Sequence, residues 1–149
     1  MMNTKSEEGK PIYLESGGDP ALAGYFPAWL NNLADDVTLE GSMMDGAVQG
    51  ADAVRALLVY IRKLYDRQEF HFAGPYGDNR FLEDYTAWVR GEPLGNVVLI
   101  IRNDAGQTQH IVGNYRPRST LMLLSRLVGE HFAGTPSGEH FVTTETSHA

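Results

Sequence analysis

The hydrophobic positions between Leu33 and Tyr65 organise the rest of the chain. A short strand is expected over residues 37–44, followed by a glycine-bounded connection and one amphipathic helix. In that helix Val54, Leu57, Leu58, Ile61, Leu64 and Tyr65 fall on one face, at the i, i+3, i+4, i+7 spacing of a 3.6-residue period. Asp52 in the first turn and Arg62 and Lys63 in the last suit the helix dipole. Upstream, Asp19-Pro20 is a helix-start signal, and Leu22, Phe26, Trp29, Leu30 and Leu33 keep helical spacing. Pro27 interrupts them. In mid-helix it would clash with the Ala23 carbonyl, so the segment is either kinked or two short helices with Pro27 opening the second.

Beyond Tyr65 the pattern turns to strands. Phe70 and Phe72 alternate with Glu69 and His71 over residues 68–74. Turn clusters at Gly74-Pro75, at Gly77-Asp78-Asn79 and at Gly91-Glu92-Pro93 bound a strand over 80–90. Residues 96–102 follow, with the unbroken apolar run Val97-Val98-Leu99-Ile100-Ile101. Asn103-Asp104-Ala105-Gly106 then connects to a return strand over 107–116. Connections this short imply an antiparallel meander. An unbroken apolar strand is covered on both faces. Helices can cover one; a second copy of the chain is the simplest cover for the other. Ser119 or Thr120 can cap a last helix whose apolar side is Leu121, Leu124, Leu127 or Val128, and Phe132, with Gly134 and Pro136 ending it.

At 149 residues one domain is expected, over residues 19–133, with flexible ends at 1–18 and 134–149. The net charge of −7, without a basic run, argues against a nucleic-acid surface. With no cysteine, disulfides, thiolate metal sites and cysteine nucleophiles are excluded. No signal-peptide core and no apolar run of roughly 20 residues is present, so a cytoplasmic protein without a membrane partner is the expectation.

The order helix, strand, glycine-containing turn, long helix and curled antiparallel sheet resembles the nuclear-transport-factor-2-like superfamily, in particular its SnoaL-like, polyketide-cyclase-like branch. Leu33-Ala34-Asp35-Asp36-Val37-Thr38-Leu39, Gln49-Gly50-Ala51-Asp52-Ala53-Val54 and Asn103-Asp104-Ala105-Gly106 carry the resemblance, which spans residues 19–116. It implies an α+β fold: a cone-shaped, curved antiparallel sheet wrapped around N-terminal helices, a cystatin-like α+β barrel with an apolar pocket at one end. Members include isomerases, dehydratases, cyclases, epoxide hydrolases and non-catalytic binding or dimerisation modules, so the fold alone does not give the function. The cyclases place an acid late in the last strand, where this chain has Gly113-Asn114-Tyr115-Arg116. The first expectation is therefore a homodimeric module that binds a small hydrophobic molecule. The alternative is a cofactor-independent enzyme acting by proton transfer on a small apolar substrate.

The candidate site residues follow from strand parity. If the return strand alternates strictly, His110, Val112 and Asn114 share a face, and His110 is a candidate acid/base with Asn114 an orienting donor. Glu83 and Asp84 lie on opposite faces of the 80–90 strand. Whichever faces the helices has a raised pKa and can be a base; Asp84 is the candidate taken, and the ordinary reading is an ion pair with Arg80 or Arg90. Tyr25, Trp29, Met43, Tyr85 and Trp88 are candidates for the pocket wall, although aromatic residues at such spacing are more often plain core. Arg116 can hold an anionic group at the pocket edge. The five histidines show no metal-ligand spacing, and no nucleotide or nucleophile-elbow motif is present. No cofactor and no metal are expected.

Overall fold

The computed structural model describes residues 12–15 and 17–141. Strand β1 (Leu33–Gly41) and the short β2 (Val48–Gln49) lead into helix α1 (Ala51–Leu64). Strands β3 (Tyr65–Gly77), β4 (Arg80–Val89), β5 (Glu92–Arg102) and β6 (Thr108–Arg116) follow, and helix α2 (Arg118–His131) comes after them. The six strands form one mixed sheet in the order β2-β1-β6-β5-β4-β3. β3 to β6 make the expected antiparallel meander, and β1 joins it parallel to β6. The sheet is not closed, since β2 and β3 are its two edges. Three irregularities interrupt the register of β3 against β4, and such bulges bend a sheet towards its concave side.

α1 lies in that concavity. Val54 and Leu57 are fully buried and Ile61 nearly so, which is the face read from the sequence. Opposite it are Tyr85, Ala87 and Val89 of β4, Leu94, Val98 and Ile100 of β5, and Ile111 of β6. α2 closes the core with Leu124, Leu127 and Val128, and Ser125 Oγ donates to the Met43 carbonyl at 2.7 Å. β1 and β6 approach most closely at Gly41 and Gly113. A Cβ on Gly41 would lie 2.1 Å from the Gly113 carbonyl oxygen, and φ there is +155°. Only glycine fits.

Several boundaries differ from the sequence pattern. The segment from Asp19 to Asn32 holds no α-helix. It has two 3₁₀ turns, Pro20–Leu22 and Ala28–Asn31, with Asp19 capping the first through Ala21 N and Pro27 opening the second. β1 begins at Leu33, so Leu33 and Ala34 are buried strand residues, not the end of a helix. β3 and β5 are longer than expected because the turns at both ends of β4 are tight, with Asn79 in one and Arg90 and Gly91 in the other at positive φ.

The ends differ as well. Residues 12–15 form a 3₁₀ turn on the outer face of the sheet. Leu14 there is 1% exposed, and a Cβ on Gly95 would lie 2.7 Å from its Cδ2. Near the other end Ser137–His140 forms a further 3₁₀ turn and Phe141 is buried in the core. The rest of the two expected flexible ends, residues 1–11, 16 and 142–149, lies outside the described residues. No helix among the described residues is long and apolar enough to cross a membrane.

Candidate functional site

β4 supplies the central group. Its side chains alternate, so Glu83, Tyr85, Ala87 and Val89 point into the cone and Asp84 and Trp88 point away. Glu83 is thereby carried into an apolar interior at 2% exposure. Both of its hydrogen-bond donors come from the segment before β1: Tyr25 OH donates to Oε2 at 2.6 Å and Trp29 Nε1 at 2.8 Å. That segment is held in place at both ends. Asp19 N donates to the Phe70 carbonyl at 2.8 Å, and Thr108 Oγ1 donates to the Trp29 carbonyl at 2.9 Å. Oε1 of Glu83 accepts no hydrogen bond from the described residues.

Burial raises the Glu83 pKa above its ordinary value, and the bonds from Tyr25 and Trp29 offset only part of that effect. A carboxyl so placed takes up a proton more readily than one in water. The same burial pushes Tyr25 well above the ordinary phenol range, helped by Glu83 itself. Tyr25 therefore stays a neutral donor.

A second polar group faces Glu83 from two residues further along β4. Tyr85 OH lies 2.8 Å from Tyr65 OH and accepts from Asn96 Nδ2 at 2.8 Å. Asn96 is oriented by the backbone: its Oδ1 accepts from Asn114 N at 3.0 Å, which leaves Nδ2 as the donor. Tyr65 and Tyr85 together bring two hydroxyl protons to the one link between them. The link uses one of them, and the other can turn to Tyr115 or to an oxygen placed in the cavity. Tyr115 interacts with the same three groups. Burial lifts the Tyr85 pKa to about 12 and those of Tyr65 and Tyr115 well above the ordinary value, so all three hydroxyls remain protonated donors.

Glu83, Tyr65, Tyr85, Tyr115 and Asn96 line one cavity of about 80 Å³, otherwise walled mainly by apolar side chains such as Leu39, Leu58, Ile61 and Val98. Beside it is an open groove of about 540 Å³. Arg62, Tyr65, Gln68 and Phe70 line both. Among the described residues no group of three or more His, Asp or Glu side chains could hold a metal ion.

The sequence-derived candidates divide between the two faces. Trp29 and Tyr85 line the cavity, and Tyr25 reaches it through Glu83. His110 does not. It is exposed on the outer face, with Nδ1 2.7 Å from Thr38 Oγ1, and Asn114 is exposed there too, donating to the Val97 carbonyl. The parity of β6 is the reverse of the one a catalytic His110 requires: Ile111, Gly113 and Tyr115 face in. Asp84 also faces out, where Tyr13 OH donates to its Oδ2 and Arg116 lies 4.0 Å from its Oδ1. Arg116 stands over the Tyr13 ring on the outer face and does not line the cavity. Trp88 lies on the outer face beneath the Arg67 guanidinium, 3.7 Å from its ring centre. Met43 is packed in the core against α2 and is not a cavity residue.

Sequence reasoning weighed Glu83 and passed over it, and did not find Tyr65, Asn96 or Tyr115. One signal was available. Phe81, Tyr85, Ala87 and Val89 make the more apolar parity of β4, and Glu83 belongs to it.

An open, curved sheet around one long helix, with a polar cluster inside its concave face, is the nuclear-transport-factor-2-like fold, also called cystatin-like. Solved structures share it at low identity. An uncharacterised protein with a cystatin-like fold from Silicibacter pomeroyi DSS-3 superposes with a TM-score of 0.66 at 20% identity, covering 71% of this chain and 74% of its own. A steroid delta-isomerase from Pseudomonas aeruginosa gives 0.65 at 20% identity, over 71% and 78%. An NTF2-like protein of unknown function from Burkholderia xenovorans LB400 gives 0.51 at 17%, over 78% and 93%. The sequence matches no protein-family model and none of the curated proteins.

Proposed function

We propose that the protein is a cofactor-independent enzyme that moves a proton next to a carbonyl group of a small, largely apolar substrate. The observation that carries this reading is Glu83, a buried carboxyl with a raised pKa that shares one small cavity with tyrosine hydroxyls able to donate. Ionised Glu83 removes a proton from the carbon beside the carbonyl. The C–H electron pair moves into a carbon–carbon double bond, and the carbonyl oxygen takes the negative charge. Tyr85 and Tyr65, kept neutral by burial, donate to that oxygen as its charge develops. Protonated Glu83 then returns the proton to the same carbon or, in an unsaturated ketone, to one further along. The net change is exchange or isomerisation, and no oxidant or reductant is consumed. Two titratable sets with different environments, a carboxyl that can ionise and phenols that cannot, make a workable division of labour.

Binding of a small hydrophobic molecule in the same cavity is common to this reading and to a non-catalytic module. What favours catalysis over binding alone is the buried carboxyl, whose desolvation is unfavourable and which an apolar ligand does not require. The test is deuterium uptake at the carbons flanking the carbonyl of small cyclic ketones in D₂O, followed by NMR. Glu83→Gln should slow uptake by about 10²–10⁴-fold, and Tyr85→Phe should slow it with little change in KM. Ketone binding without uptake above the uncatalysed rate would leave a binding module.

A further inference from the structure

Resting on that reading, we infer that the substrate carries an anionic group, in the first instance a carboxylate, and that Arg62 is the residue that selects it. The cavity around Glu83, at about 80 Å³, admits only the reacting end of a molecule. Ligand pockets are ordinarily about 300–1,000 Å³, so the remainder of a substrate extends into the adjoining groove of about 540 Å³. Arg62, in the last turn of α1, lines both spaces and so lies at their shared boundary.

The other charged side chains of the groove are already engaged. Asp19 caps Ala21 N, Asp66 accepts from Gly91 N at 2.8 Å, and Glu69 pairs with Arg67 at 3.3 Å. Arg67 also lies flat on Trp88. Arg62 has no ion pair or hydrogen-bond partner among the described residues. It is also the only charged side chain besides Glu83 in the lining of the inner cavity. A guanidinium at that junction offers a planar pair of donors that matches a carboxylate. It anchors the far end of the substrate and sets how deeply the carbonyl reaches towards Glu83 and Tyr85. The protein as a whole is anionic, with a net charge of −7, so this local cation and not the overall field must supply the preference.

The experiment compares 4-oxocyclohexane-1-carboxylate with its methyl ester. Deuterium uptake beside the ketone is measured for each in the parent protein, in Arg62→Gln and in Arg62→Lys. The parent should favour the carboxylate by about tenfold or more in kcat/KM, as one charge-assisted contact warrants. The preference should sit mainly in KM, fall towards one in Arg62→Gln and be kept in part by Arg62→Lys. A ratio near one in the parent, or a ratio unchanged by Arg62→Gln, would overturn the assignment. If neither ketone takes up deuterium, the base reading fails separately. Trp29 fluorescence titrations with the same two compounds then decide the role of Arg62: tighter carboxylate binding lost in Arg62→Gln supports it, and equal affinities overturn it.

Discussion

Replacing Glu83 tests the site without any knowledge of the substrate. In the folded protein its carboxyl is buried and its pKa raised; in the unfolded chain it titrates near the ordinary value of about 4.3. Below that value the group is neutral in both states. As pH rises, the unfolded chain releases its proton first, so the folded state binds more protons and loses stability relative to the unfolded one. The loss has a slope of at most about 1.4 kcal/mol per pH unit and levels off above the folded pKa. Glu83→Gln removes the ionisation but keeps an oxygen for Tyr25 OH and Trp29 Nε1. The parent and this variant should therefore be about equally stable near pH 4, and the variant should become the more stable as pH rises towards 8. Glu83→Ala removes the acceptor as well and leaves the buried Trp29 N–H unpaired, at a cost of about 1–3 kcal/mol. Urea denaturation of all three proteins between pH 4 and 8, followed by circular dichroism, reads both effects. Other titrating groups cancel in the differences. A parent that is more stable than Glu83→Gln at pH 8, or a gap that does not change with pH, would show that Glu83 is not a buried carboxyl of raised pKa.

Leu57 is fully buried against the sheet, and Leu57→Ala should cost about 2–5 kcal/mol in a denaturation experiment; an unchanged midpoint would mean that α1 is not the centre of the core. His110 is exposed on the outer face, so His110→Ala should shift stability by no more than about 0.5 kcal/mol and leave turnover unaltered. The expected dimer through the outer face rests on Val97, Leu99 and Ile101, which remain half-exposed there while Ile100 is fully buried inside. Ile101→Glu should dissociate it and Ile100→Glu should unfold the chain instead, and sedimentation that finds the unmodified protein monomeric at all concentrations would refute it. If Glu83 is the base, uptake of deuterium should rise with pH through a pKa above the ordinary carboxylate value, because the base acts only when ionised.

The periodicity of residues 51–64 was enough to place α1 and its buried face, because a 3.6-residue pattern on a single long helix has one consistent solution. The meander of β3 to β6 was equally legible, since turn residues at short spacing permit little besides antiparallel neighbours. The parallel pairing of β1 with β6 was not read from the sequence, since those strands are far apart along the chain and meet only when the sheet curls.

Parity decided the site. On β6 the alternatives were Ile111, Gly113 and Tyr115 or His110, Val112 and Asn114; the first set is the more apolar, and a shift of one residue exchanges the two. On β4 the apolar run with Ala87 and Val89 favoured Glu83 inside, but the meaning of that position depended on Tyr25 and Trp29 arriving from a segment more than fifty residues earlier. The sequence by itself determined α1 with its apolar face and the β3 to β6 meander, because those follow from local spacing, whereas the helical spacing before β1 gave only two 3₁₀ turns. Only the tertiary structure decided that one carboxyl is desolvated beside tyrosine hydroxyls while its neighbour Asp84 lies half-buried on the outer face with Tyr13 and Arg116. Burial and electrostatics belong to the assembled fold, and no single stretch of chain contains them.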